Sequence, residues 1–134
     1  MPPFLPVPLR ARADGWTPER QAKFIGLLAE TGSVAEAARQ VGMSRMAAYR
    51  LRHRAGAESF VHAWDAIAGF WQGERVEPRK VTPSELHERA HVGEFHILMR
   101  RRKFVRAVRK PSTSALLRLV RRMDAAAARG GWDW

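Results

Sequence analysis

The chain has no cysteine, which excludes disulfides and thiolate metal sites. No apolar run approaches the roughly 20 residues needed to cross a bilayer. The opening stretch, MPPFLPVPLR, lacks a long apolar core and carries prolines at 2, 3, 6 and 8. It therefore does not read as a signal peptide. No glycine-rich phosphate loop is present, and no spacing draws a Ser-His-Asp set together. Neither a cofactor nor a catalytic role is expected. Acid is also scarce: 13 Asp and Glu stand against 24 Lys and Arg, leaving a net charge of +11. From Phe95 to Met123 there is no acid at all.

A protein this basic usually meets a polyanion. Nucleic acid ranks ahead of an anionic membrane, and no membrane partner is expected. Arginine greatly outnumbers lysine, so an Arg-rich genome alone would raise the charge. Placement of the charge is the better evidence. At 134 residues the chain fits one domain, or a domain and a small addition.

The order of elements follows from caps and periodicity. Residues 1–15 read as a flexible Pro-rich arm, with Arg10 and Arg12 before the folded part. Thr17 then caps a first helix with Pro18 at its first position. Phe24, Leu27 and Leu28 give that helix a core face. Gly32 closes it. Ser33-Val34-Ala35-Glu36 is a capping box, with Glu36 placed to reach back to the Ser33 amide. Gly42 ends the second helix, and Ser44 caps a third that runs to about Arg54. After Ala55-Gly56-Ala57, Phe60, Trp64 and Ile67, with Trp71 at the end of the series, read as the core stripe of a fourth helix.

The stretch from Ser33 to Arg54 has the composition of a helix-turn-helix. Ala37 and Ala38 allow close helix contact, Val41 and Met43 flank the turn, and Ala48 and Leu51 face the core. Ser44, Arg45, Met46, Tyr49, Arg50 and His53 are left facing outward, where they would meet DNA. Arg45 and Arg50 suit bidentate bonds to guanine. Tyr49 suits a phosphate or a thymine methyl. Ser44 lies at a helix N-terminus that favours a phosphate. Arg52 and Arg54 are expected on backbone phosphates, which position without specifying.

On these residues the segment from Trp16 to Ile67 resembles the homeodomain-like helix-turn-helix proteins of bacteria and their phages. ETGSVAEAARQVGMSRMAAYRLRHRAGAESFVHAWDAI is similar to the N-terminal domain of phage terminase small-subunit-like proteins. The tail half, GEFHILMRRRKFVRAVRKPSTSALLRLVRRMD, is similar in outline to their strand-strand-helix ending. It departs in having Arg101-Arg102 where a turn glycine is expected. The resemblance implies double-stranded DNA binding. Its members include transcription regulators, recombinase-type modules and packaging proteins. A bacterial or phage transcription regulator is the leading expectation, with a packaging recognition protein as the alternative. Either would be cytoplasmic, nucleoid-associated or phage-encoded.

The second half brings two further signals. His87-Glu88-Arg89-Ala90-His91 matches the zinc-protease pattern H-E-x-x-H. Against a zinc peptidase, Arg89 puts a charge on the motif helix, and neither Glu94 nor His96 stands where a third ligand belongs. An amphipathic helix over 83–91 is the plainer reading, capped by Thr82 with Glu85. Phe95, Ile97 and Met99 then alternate, as strands do. Together with Arg100, Arg101, Arg102 and Lys103 they suggest a β-hairpin with a basic tip, able to follow a DNA backbone. Pro111 ends it, and Ser112 or Ser114 caps a last helix striped by Leu116, Leu119, Val120 and Met123.

The expected fold is thus mainly α. A helix-turn-helix domain of about four helices spans 16–71 and a linker spans 72–81. A short helix, hairpin and C-terminal helix span 82–128, and a flexible tail spans 129–134. Duplex DNA is the expected partner. Homo-oligomerisation, or a protein partner, is expected through the C-terminal half.

Overall fold

The computed structural model describes residues 3–9, 15–73 and 81–128. Within them the order is α1 (Pro18–Thr31), α2 (Val34–Gln40), α3 (Arg45–Arg52), α4 (Glu58–Gln72), α5 (Pro83–His91), β1 (Glu94–Arg100), β2 (Lys103–Lys110) and α6 (Thr113–Ala126). The fold is mainly helical, with one antiparallel hairpin. Side-chain caps set most of the helix starts. Thr17, Ser33, Ser44, Thr82 and Ser112 each accept a bond from the amide three residues on. Ser112, rather than Ser114, caps α6. Only half of the first capping box forms. The Ser33 amide donates to Thr31 Oγ1 at 3.2 Å. Glu36 turns instead to Arg39 and Gln40, which hold its carboxyl down at about 2.

The core lies between α1 and α4. Phe24, Ile25 and Leu28 meet Phe60, Trp64 and Ile67, while Ala37, Ala38, Ala48 and Leu51 bring α2 and α3 close. The aromatic rings interlock, with Phe24 to Trp64 at 5.2 Å between centroids and Phe24 to Phe60 at 6.1 Å. Such pairs add to the burial of area alone. Trp71 leaves the stripe and is 51% exposed.

Residues 3–9 are not a free arm. Phe4, Leu5 and Val7 are buried, and the amides between the prolines all find acceptors. Phe4 N donates to Phe95 O at 3.1 Å, and Phe4 O accepts from Phe95 N at 2.8 Å. Leu5 N donates to Ser59 Oγ, and Val7 N to Gln21 Oε1. The fully buried Gln21 amide also donates to the carbonyls of Val7 and Trp16. It thus serves Val7 as a neighbouring strand would. The prolines remove only donors that this path does not need. Arg10, Arg12 and the tail 129–134 lie outside the described residues.

Residues 74–80 of the expected linker lie outside the described residues, and the hairpin beyond them joins the main core. Phe95 belongs to the main core, and Ile97, Phe104 and Ala107 pack against it. Gly26 is the reason β2 approaches α1 so closely: a Cβ there would lie 2.1 Å from the Phe104 ring. The Phe104 amide donates to Glu30 Oε1 of α1 at 2.9 Å. The apolar stripe of the last helix faces outward. Ala115 is its buried residue, while Leu116, Leu117, Val120 and Met123 are exposed.

Phe4→Ala separates the packed segment from a free arm. Removing a fully buried phenylalanine costs about 3–5 kcal/mol, so the urea midpoint of the variant should fall sharply. An unchanged midpoint would mean that the segment contributes nothing.

Candidate nucleic-acid interface

The site begins with the turn between α2 and α3. Gly42 has φ of 77°, which a side chain disfavours. A Cβ at Gly42 would meet nothing within 4 Å, so backbone conformation alone selects glycine. Val41 is buried and Met43 packs on the core. These two residues fix the corner as the spacing predicts.

Helix α3 buries Ala48 and Leu51. Ser44, Arg45, Met46, Tyr49, Arg50, His53 and Arg54 are exposed. Tyr49 is the least free of them. Its ring lies 5.4 Å from Trp64, and the Arg45 guanidinium stands 5.7 Å from its centre. Arg52 departs from the expected phosphate role. It bonds Asp65 Oδ1 through both terminal nitrogens at 3.2 Å and lies 4.8 Å over Trp64. Its position three residues after Tyr49 turns it toward α4, where Asp65 meets it. It holds the two helices together instead of facing outward.

The second basic cluster is the hairpin tip. Arg100 pairs with Lys103, so Arg101 and Arg102 form a two-residue turn. Their φ values are 53° and 65°. Such a turn favours Asn-Gly because both residues are left-handed. Each non-glycine residue there costs about 1–2 kcal/mol. Cross-strand Arg100 and Lys103 add like-charge repulsion. Four bases at a strained turn are unfavourable for folding, and a bound anion would offset the repulsion.

On the H-E-x-x-H helix the histidines face outward. His87, Glu88 and His91 are exposed, with the two imidazoles stacked at 4.3 Å. Arg89 points inward instead, to Glu85, Glu94, Ser59 and the Pro3 carbonyl. Among the described residues no group of three acidic or histidine side chains is placed to hold a metal ion.

Sequence reasoning missed the pair Phe70 and Trp71 at the end of α4. Trp71 lines a hollow beside Tyr49 on one side and a groove with Met99 and Arg102 on the other. The available signal was two adjacent aromatics, of which one must leave any helical stripe.

Two substitutions test these assignments. Arg52→Ala should lower stability by about 1 kcal/mol through the lost pair and ring contact. Arg54→Ala should leave the unfolding midpoint in place. Replacing the tip with Arg101→Asn and Arg102→Gly should raise stability by roughly 1–2 kcal/mol as the turn strain is relieved. Parallel urea titrations read both.

Comparison with known proteins adds no identity to this geometry: no protein-family model, curated protein or solved structure matches the chain.

Proposed function

We propose that the protein binds double-stranded DNA by laying α3 in the major groove, and acts as a regulator of transcription by occupying its site. The supporting observation is the division of α3 itself. It buries two small or apolar residues against the fold and leaves Arg45, Met46, Arg50, His53 and Arg54 outward. An eight-residue helix is about 12 Å long, which suits a major groove about 12 Å wide.

The roles follow from chemistry. Arg45 and Arg50 reach guanine O6 and N7. Met46 packs on a thymine methyl or sugar. Ser44 and the first amides of α3 hold a phosphate. His53 and Arg54 at the far end take the next phosphates. The hairpin tip supplies further backbone contacts, which add affinity without sequence information. A homo-oligomer that set two α3 helices about 34 Å apart would read paired half-sites. The exposed face of α6 is available for such pairing.

Selection from a randomised duplex pool, followed by anisotropy titration of the winning site, tests the proposal. Arg45→Ala with Arg50→Ala should weaken that site on the order of ten-fold per lost contact. Binding to unrelated duplex should change far less. Unchanged affinity and unchanged preference in the double variant would refute the reading.

A further inference from the structure

The end of α4 and the hairpin tip enclose a groove of about 640 Å³. Ala66, Ile67, Phe70, Trp71, Met99 and Arg102 line it. Its walls are apolar apart from the Arg102 guanidinium. Phe70 is 73% exposed and Trp71 51% exposed. The two rings stand edge to face, 6.3 Å apart at 82°. Trp71 is not loosely hung. A Cβ on Gly32 would come within 2.9 Å of its indole, so that glycine, itself left-handed with φ of 68°, seats the ring. The core stripe of α4 ends at Ile67, so the fold does not require either exposed ring.

We propose that this groove takes an unpaired base from a single-stranded stretch of nucleic acid whose phosphates lie along the tip arginines. Each element of that ligand finds its complement. An aromatic wall offers a stacking surface that accepts any base. Arg102 at the rim offers both a cation for a phosphate and a flat guanidinium for the base. Arg100, Arg101 and Lys103 continue the positive charge along the tip. The left-handed backbone at Arg101 and Arg102 is what a two-residue hairpin turn requires, and it sets both arginines at the tip. Bases within an intact duplex are stacked on one another, so their faces are closed to such a groove. The inference rests on the nucleic-acid reading above but not on the contacts of α3.

The test compares two fluorescein-labelled strands of equal length and charge, one of thymidine nucleotides and one abasic. The protein should bind the thymidine strand on the order of ten-fold more tightly. Phe70→Ala and Trp71→Ala should each remove that preference while leaving affinity for the abasic strand unchanged. Phe70 is 73% exposed and lies outside the core, so its variant keeps the fold even where loss of the seated Trp71 disturbs it. Equal binding of the two strands by the unaltered protein overturns the proposal. A preference that survives both substitutions overturns it too, because the bases would then stack elsewhere. Arg45→Ala with Arg50→Ala should retain the thymidine preference while losing the duplex site, so failure of the groove and failure of the α3 reading are seen separately.

Discussion

The fold closes around one guanidinium. Arg89 has five N–H donors, and all five are used: two to Glu85, one to Glu94, one to Ser59 and one to the Pro3 carbonyl. Its own carbonyl accepts from Ser112, at the start of α6. The side chain is only 14% exposed, and its partners Glu85 and Glu94 only 12% and 7%. A charge at that depth is tolerated because every donor is met, and removing one partner would leave the others uncompensated. The N-terminal segment, α4, α5, β1 and α6 are brought together there. The same residue lies within the H-E-x-x-H pattern. Its variable position carries the residue that the architecture needs, and its histidines are the surface of that helix.

From that point the basic elements gain their positions by packing. The hairpin is tied at its base to Phe4 and at its side to α1, where Gly26 admits Phe104 and Glu30 takes the Phe104 amide. Helix α3 is tied to α4 by Arg52, Asp65 and Trp64. Between the two tied elements stands Trp71, next to Tyr49 in one hollow and Arg102 in the other. Arg52 and Gly26 both hold neighbouring elements in place, although one is basic and the other has no side chain.

Local rules made most elements legible. Caps, terminal glycines and apolar spacing are properties of a few adjacent residues, so α1 to α5, the hairpin and its tip could be read from them. Long-range partners could not. Gln21 occupies a core-stripe position three residues before Phe24, and only the fold shows that Val7 completes it. Proline argued against pairing at the N-terminus. That argument is sound for a regular ladder, but it does not cover a segment whose remaining amides each find a different acceptor. Arg52 misled for a related reason: periodicity shows which side a residue takes, not whether an acid waits there. Helix α6 was legible from Ser112 and its apolar stripe, but such a stripe records the need for a partner surface without naming one.

The arginines therefore divide by what the fold gives them, and this bears on whether their number means anything. An Arg-rich genome would scatter arginine without regard to partners. Here Arg39, Arg52 and Arg89 meet acids within the chain. Among the described residues Arg45, Arg50, Arg54, Arg100, Arg101, Arg102, Arg106, Arg109, Arg118, Arg121 and Arg122 all form no ion pair with an acid; three of them adjoin at the hairpin tip, and the rest are spread over α3 and its end, β2 and α6. At that tip the backbone is left-handed twice without glycine, where a commoner turn sequence would fold more easily. Sequences keep such local conflicts where something other than stability is served. The two-residue turn accounts for the left-handed backbone, and composition does not account for placing four bases on it. An anionic ligand would neutralise the repulsion that those four bases create.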